Sequence, residues 1–168
     1  MKKFIVALLT LTMVFALVGC GGAKEEPETN TSSPSASAQL SGENTLGNKL
    51  GVLFLADAVM DKDLMTMGQE LADISGYDCV VIEAQEGYLN GFTEEVKGFS
   101  AGVQFAPMIG SIPFVGYIFE TDDADALMAK LNATADPRWN ICTEAAETVC
   151  IKQGNYVFFT MCPDEEEQ

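Results

Sequence analysis

An α+β domain is what the sequence predicts between residues 45 and 163: a two-layer sandwich in which a mainly antiparallel sheet of about five strands carries helices on one face. Three observations carry that expectation. Phe99, Ala101, Val103 and Phe105 alternate with Ser100, Gly102 and Gln104, the period of two that sends successive side chains to opposite faces of a strand. Pro113 to Phe119 (PFVGYIF) is a continuous apolar run, the pattern of a central strand. Other segments repeat their apolar residues every three to four positions, as a helix with one buried face does.

Taken in order, the first helix begins near Thr45 with Leu46, Leu50, Leu53 and Phe54 at helical spacing, although Gly47 and Gly51 weaken it. Asp61 is positioned to cap a second helix whose inner face is Leu64, Met67, Gly68, Leu71 and Ala72. Gly76 can end that helix in the left-handed conformation. Cys79-Val80-Val81-Ile82 is short and wholly apolar, the pattern of a buried strand. Pro107 to Ser111 breaks the alternating strand, and Pro113 fits only the first position of the next, because it cannot donate to a ladder. Thr121-Asp122-Asp123 opens a third helix with Ala124, Leu127, Met128 and Leu131 inward and Lys130 near its end. Thr148–Lys152 and Asn155–Cys162 then read as a hairpin around Gln153-Gly154.

Upstream of the domain the composition changes abruptly. Lys2 and Lys3 precede an uncharged apolar run from Phe4 to Val18, which is a secretory signal in form and too short for a typical membrane span. The run ends Leu17-Val18-Gly19-Cys20, which resembles the lipobox of bacterial lipoproteins. The resemblance implies cleavage after Gly19, diacylglycerol on the Cys20 sulfur, and often acylation of the new amine. Two or more chains hold a protein at a membrane where one binds only marginally. The expected organisation is thus a signal peptide over residues 1–19, then lipidated Cys20 and a linker over 20–44. The folded domain over 45–163 and an acidic tail over 164–168 complete it. The linker is dominated by Ser, Pro, Thr, Gly and Glu and has no apolar period, so it cannot bury enough surface to order itself.

The chain carries a net charge of −16 at pH 7 and no histidine. Such a surface repels phosphate backbones, which excludes nucleic acid as a partner class. Without histidine, Ser-His and Cys-His nucleophile pairs are impossible. No phosphate-binding loop, nucleophile elbow or dinucleotide fingerprint is present, and no cofactor or metal is expected. Beyond Cys20 the cysteines are Cys79, Cys142, Cys150 and Cys162, without a C-x-x-C pair, in a compartment where disulfides persist. Alternation along the hairpin sends Cys150 and Cys162 to opposite faces. Of the pairings left open, a bridge is placed between Cys162 and Cys142, which precedes the hairpin's first strand; free buried thiols are the other reading.

Three segments stand out. Gly87-Tyr88-Leu89-Asn90-Gly91-Phe92 sets two aromatics in a glycine-flanked loop, Phe105 to Phe114 holds an unusually apolar turn, and Asp136-Pro137-Arg138-Trp139-Asn140 holds the only Arg and the only Trp. Aromatics in small domains are mostly core, but exposed apolar loops often contact partners. A binding surface is expected to use Tyr88, Phe92, Arg138 and Trp139. In these stretches (GYLNGF, FAPMIGSIPFVGYIF, DPRWNIC, VFFTMCP) the domain resembles small lipoproteins of clostridia-like Gram-positive bacteria, a likeness that implies no activity. The function expected is a non-catalytic binding module, lipid-anchored outside the cytoplasm, that engages a protein, peptide or small ligand; the alternative is a carboxylate-based enzyme of the cell envelope.

Overall fold

The computed structural model describes residues 44–140 and 142–163, all within the compact unit Pro34–Gln168. The signal, Cys20, nearly all of the linker and the acidic tail lie outside the described residues. Ten elements follow one another: α1 (Leu46–Val59), α2 (Leu64–Ser75), β1 (Cys79–Glu83), β2 (Gly87–Tyr88), β3 (Glu95–Val96), β4 (Ala101–Pro107), β5 (Val115–Glu120), α3 (Ala124–Thr134), β6 (Glu147–Gln153) and β7 (Tyr156–Cys162). The main sheet has five strands in the order β1-β4-β5-β7-β6, and every pairing is antiparallel. β2 and β3 form a separate two-stranded ribbon. The fold is α+β, with helices packed on an antiparallel sheet.

Both faces of that sheet are covered. Leu50 and Phe54 of α1 and Met67 and Leu71 of α2 pack with Val103, Phe105, Ile118, Val149 and Phe158 on one face. Leu127, Met128 and Leu131 of α3 pack with Tyr117, Phe119, Cys150, Val157 and Phe159 on the other. The layering is therefore three deep, where two layers were expected. The reason lies in β5 and β7: both are apolar at every or nearly every position, so each of their faces must be hidden from water. Close packing also needs glycine at Gly116, which stands opposite Phe105 across the ladder. A Cβ there would lie 2.1 Å from the Phe105 ring.

Local signals decide where elements start. Thr45 caps α1, its hydroxyl accepting from Asn48 N at 3.3 Å. Asp63, two residues after the expected Asp61, caps α2 by accepting from Thr66 N at 2.9 Å, and Asp61 occupies a left-handed turn with φ 53°. Gly76 ends α2 in the left-handed conformation, as its position implied. Asp123 caps α3 through Ala126 N.

Two further details differ from expectation. The hairpin closes on Gln153 and Tyr156, so its two-residue turn is Gly154-Asn155, and Gly154 supplies the positive φ such a turn needs. A turn on Gln153-Gly154 would set Cys150 opposite Val157; it stands opposite Phe159, a shift of two that leaves every side chain on its face. β1 is an edge strand, with Val80 and Ile82 half exposed, where a buried strand was expected.

Candidate functional site

The three unusual segments meet at one end of the sheet. They border a cleft of about 390 Å³, with Asn90 from the first, Ala106, Pro107 and Ile112 from the second, and Trp139 and Asn140 from the third. Cys142, exposed in the connection from α3 to β6, also lines it. The tip of the second segment, Met108 and Ile109, stands out beside the cleft at 77% and 74% exposure.

The walls are fixed by hydrogen bonds that start in the core. Tyr117 of β5 is buried, and its hydroxyl donates to the Asn90 carbonyl at 2.9 Å while lying 3.0 Å from the Gln104 amide. Burial pushes the Tyr117 phenol well above its ordinary value, so it stays protonated and remains a donor. Gly91 has a φ of 92°, a conformation glycine adopts without strain, and it lies against the terminal methyl of Met161. Its carbonyl accepts from Asp136 N at 2.8 Å, which joins the first segment to the third. The third is drawn in by its own turn, in which Asp136 accepts from Arg138 N and Trp139 N. Thr143 donates to the Ser111 carbonyl at 3.3 Å and links the loop after α3 to the second segment.

The cleft is chemically neutral. Its lining holds apolar walls, the side-chain amides of Asn90 and Asn140, the Trp139 indole and a thiol, with no acid or base among them. Such a site can hold an uncharged or apolar group and orient it with a few hydrogen bonds. Charged depressions lie elsewhere, and one of them is internally compensated. In the one beside Tyr88, Lys97 pairs with Glu95 and Lys130 with Glu94. In the one beside Glu83, Glu86 accepts from Gly98 N at 2.7 Å. No group of three or more potential ligands for a metal occurs among the described residues.

Of the expected binding residues, Trp139 alone lines the cleft. Tyr88 is exposed on β2 in the separate charged depression. Phe92 belongs to the core, tilted against Tyr117 and Phe159 at ring separations of 5.7 and 4.8 Å. Arg138 points to solvent and meets Glu144 at 3.4 Å. Asn90 and Asn140 were not singled out by sequence reasoning, and Cys142 was singled out only as a disulfide partner, not as part of a binding surface. The first two lie inside segments that were, and their signal is a side-chain amide next to an aromatic or glycine in an otherwise apolar loop.

Of the two readings of the cysteines, the link between Cys142 and Cys162 is not made. Cys162 is buried in the core beneath α1 and α2, with its sulfur 3.5 Å from Thr160 Oγ1, whereas Cys142 is exposed. No family model matches the chain, and neither the curated proteins nor the solved structures provide a significant match.

Proposed function

We propose that this chain is a non-catalytic binding module, anchored through lipidated Cys20 outside the cytoplasm, whose cleft receives an uncharged, largely apolar group of a protein, peptide or small ligand. The convergence of three irregular segments on one neutral cleft, beside the exposed Met108 and Ile109, carries this reading. Exposed apolar tips next to a preformed cavity with one tryptophan are the usual composition of a binding hot spot. A carboxylate enzyme has less support, because the cleft lining contains no carboxylate.

Selection of displayed random peptides on the full chain, held in nanodiscs, tests the binding reading. Enriched peptides are expected to lose about tenfold or more in affinity against Met108→Ser/Ile109→Ser and against Trp139→Ala. Failure to enrich any peptide, or affinities unchanged in both variants, would refute a peptide-binding cleft. Anchoring is tested separately by metabolic labelling with a radioactive fatty acid: the wild-type chain takes up label and Cys20→Ser does not. Equal labelling of the two removes Cys20 as the anchor.

A further inference from the structure

β1 is one of the two edge strands of the main sheet among the described residues. Ala84 N donates to the Gly102 carbonyl at 2.9 Å, which makes these two a hydrogen-bonded pair in a ladder where bonded and non-bonded pairs alternate. By that alternation Val80 and Ile82 bond to β4, while Val81 and Glu83 turn their N–H and C=O groups outward. Among the described residues no strand pairs with that side of β1. Proteins commonly blunt such an edge with Lys, Pro or a bulge. β1 (Cys-Val-Val-Ile-Glu) has no Lys or Pro and pairs with β4 over five consecutive residues without a bulge.

The side chains and charges around this edge are suited to one kind of occupant. Val80 and Ile82, 41% and 49% exposed, form an apolar strip on the face away from α2. An exposed acid stands at each end, Asp78 just before the strand and Glu83 as its last residue, with Glu86 following. The chain has no Lys or Arg between Lys62 and Lys97, and Lys97 lies near enough to Glu86 to act on its charge, so the charge offered by this edge rests on Asp78 and Glu83.

We propose that β1 is a docking edge for an extended, basic segment of a partner protein, which joins the sheet as a sixth strand. Backbone bonds to Val81 and Glu83 supply the affinity, and alternate apolar side chains lie on Val80 and Ile82. The Lys or Arg side chains between them meet Glu83 on the opposite face, with Asp78 adding negative charge at the strand's start. A second copy of the chain fits poorly. Antiparallel pairing of two β1 strands about Val81 would set each Glu83 opposite the other's Cys79 and next to its Asp78, on chains that each carry −16. The inference names the partner class for the binding reading above, at a different surface from the cleft.

The experiment titrates the full chain in nanodiscs with a fluorescein-labelled (Lys-Val)4 peptide, its (Glu-Val)4 counterpart, and (Lys-Val)4 carrying N-methyl groups at alternate residues. The lysine peptide is expected to bind, and the glutamate peptide to bind about a hundredfold more weakly or not at all. The N-methylated form keeps its charge but loses the ladder, and should weaken about tenfold or more. Bound peptide should slow amide exchange at Val81 and Glu83. Glu83→Pro removes only an outward N–H and a charge, so it should fold normally and weaken binding about tenfold, whereas the exposed Ile74→Ser on α2 should not. Equal binding of the N-methylated or glutamate peptide overturns the proposal, as does protection confined to other segments. A peptide-free dimer with Val81 and Glu83 already protected would assign the edge to a second copy instead. These readouts involve neither Met108 nor Trp139, so failure at the edge and failure at the cleft are distinguishable.

Discussion

The two edges of one sheet, β1 and β6, have similar composition and opposite fates. Val149, Cys150 and Ile151 of β6 are all buried, while Val80 and Ile82 of β1 are half exposed. Apolar content does not separate CVVIE from TVCIK. What separates them is what lies above and below. β6 is sandwiched, with α1 on one face and α3 on the other, and both helices contact it. β1 receives α2 on one face, and among the described residues its second face keeps Val80 and Ile82 exposed. The polar groups follow the same division. Glu147 at the start of β6 binds the first turn of α1, and Lys152 near its end pairs with Asp125 of α3 at 2.5 Å. Helix placement, rather than strand composition, determines which edge strand has both of its faces covered.

Thiol chemistry offers the widest expected gap, because each edge carries a cysteine. Burial pushes the Cys150 thiol up to about 12, only partly opposed by a hydrogen bond from Asn132. Cys79, at the start of β1, is also raised by burial and by the charge of Asp78, against a hydrogen bond with Ser75, but it is half exposed. Since the thiolate is the reactive form, iodoacetamide near neutral pH should modify exposed Cys142 first and Cys79 next. Cys150 should lag by about a thousandfold. The sign for stability follows from the same shift. A neutral thiol is favoured by the folded chain, so its contribution is intact below the ordinary thiol range and is lost as pH climbs towards 12. Mass spectrometry of a labelling time course reads both; equal rates at Cys79 and Cys150 would mean that β6 opens as readily as β1.

Core truncation on each edge should give the next largest contrast. Ile151→Ala leaves a cavity between α1 and the sheet and is expected to cost about 2–4 kcal/mol, whereas Ile82→Ala on β1 should cost less than about 1 kcal/mol. Urea midpoints at constant slope measure the pair. A cost for Ile82→Ala as large as that for Ile151→Ala would show that β1 is closed in solution.

This contrast also marks where the sequence stops being legible. Elements were readable because each is announced locally: alternation for β4, the inward stripe of α2, Gly76 at its end, the acids before α3. Strand order was not, because Cys79-Val80-Val81-Ile82 carries no trace of which strand will lie beside it, and a wholly apolar run is compatible with a centre or a bare edge. The second helical layer was implicit in β5, whose apolar residues on both faces require two covers, but α3 gives no sign of which face it takes. For the cleft, the three segments could be recognised as unusual from composition alone. That they meet depends on long-range bonds such as Tyr117 to Asn90 and Asp136 to Gly91, which join positions far apart in the chain. Phe92 was placed on the surface for the same reason: its neighbours Tyr117 and Phe159 are invisible from its own loop.

The smallest expected effect concerns the side-chain contact that ties the start of β6 to α1. The Glu147 carboxylate accepts from Thr45 Oγ1 at 2.6 Å and from Gly47 N at 2.9 Å, so a residue of β6 satisfies a backbone donor in the first turn of α1 and places negative charge at the helix N-terminus. Glu147→Gln keeps the shape and one acceptor, loses the charge, and turns an amide N–H2 towards one of the two donors. The expected loss is about 1 kcal/mol, moderated because the pair is only partly buried. Amide exchange should accelerate in the first turn of α1 and at the start of β6, with β1 unaffected. Salt separates the two causes: a loss that shrinks in high salt comes from charge at the helix end, while one that persists comes from the mismatched hydrogen bond. If exchange accelerates at β1 as well, the two edges unfold as one unit, and helix cover sets their exposure without setting their local stability.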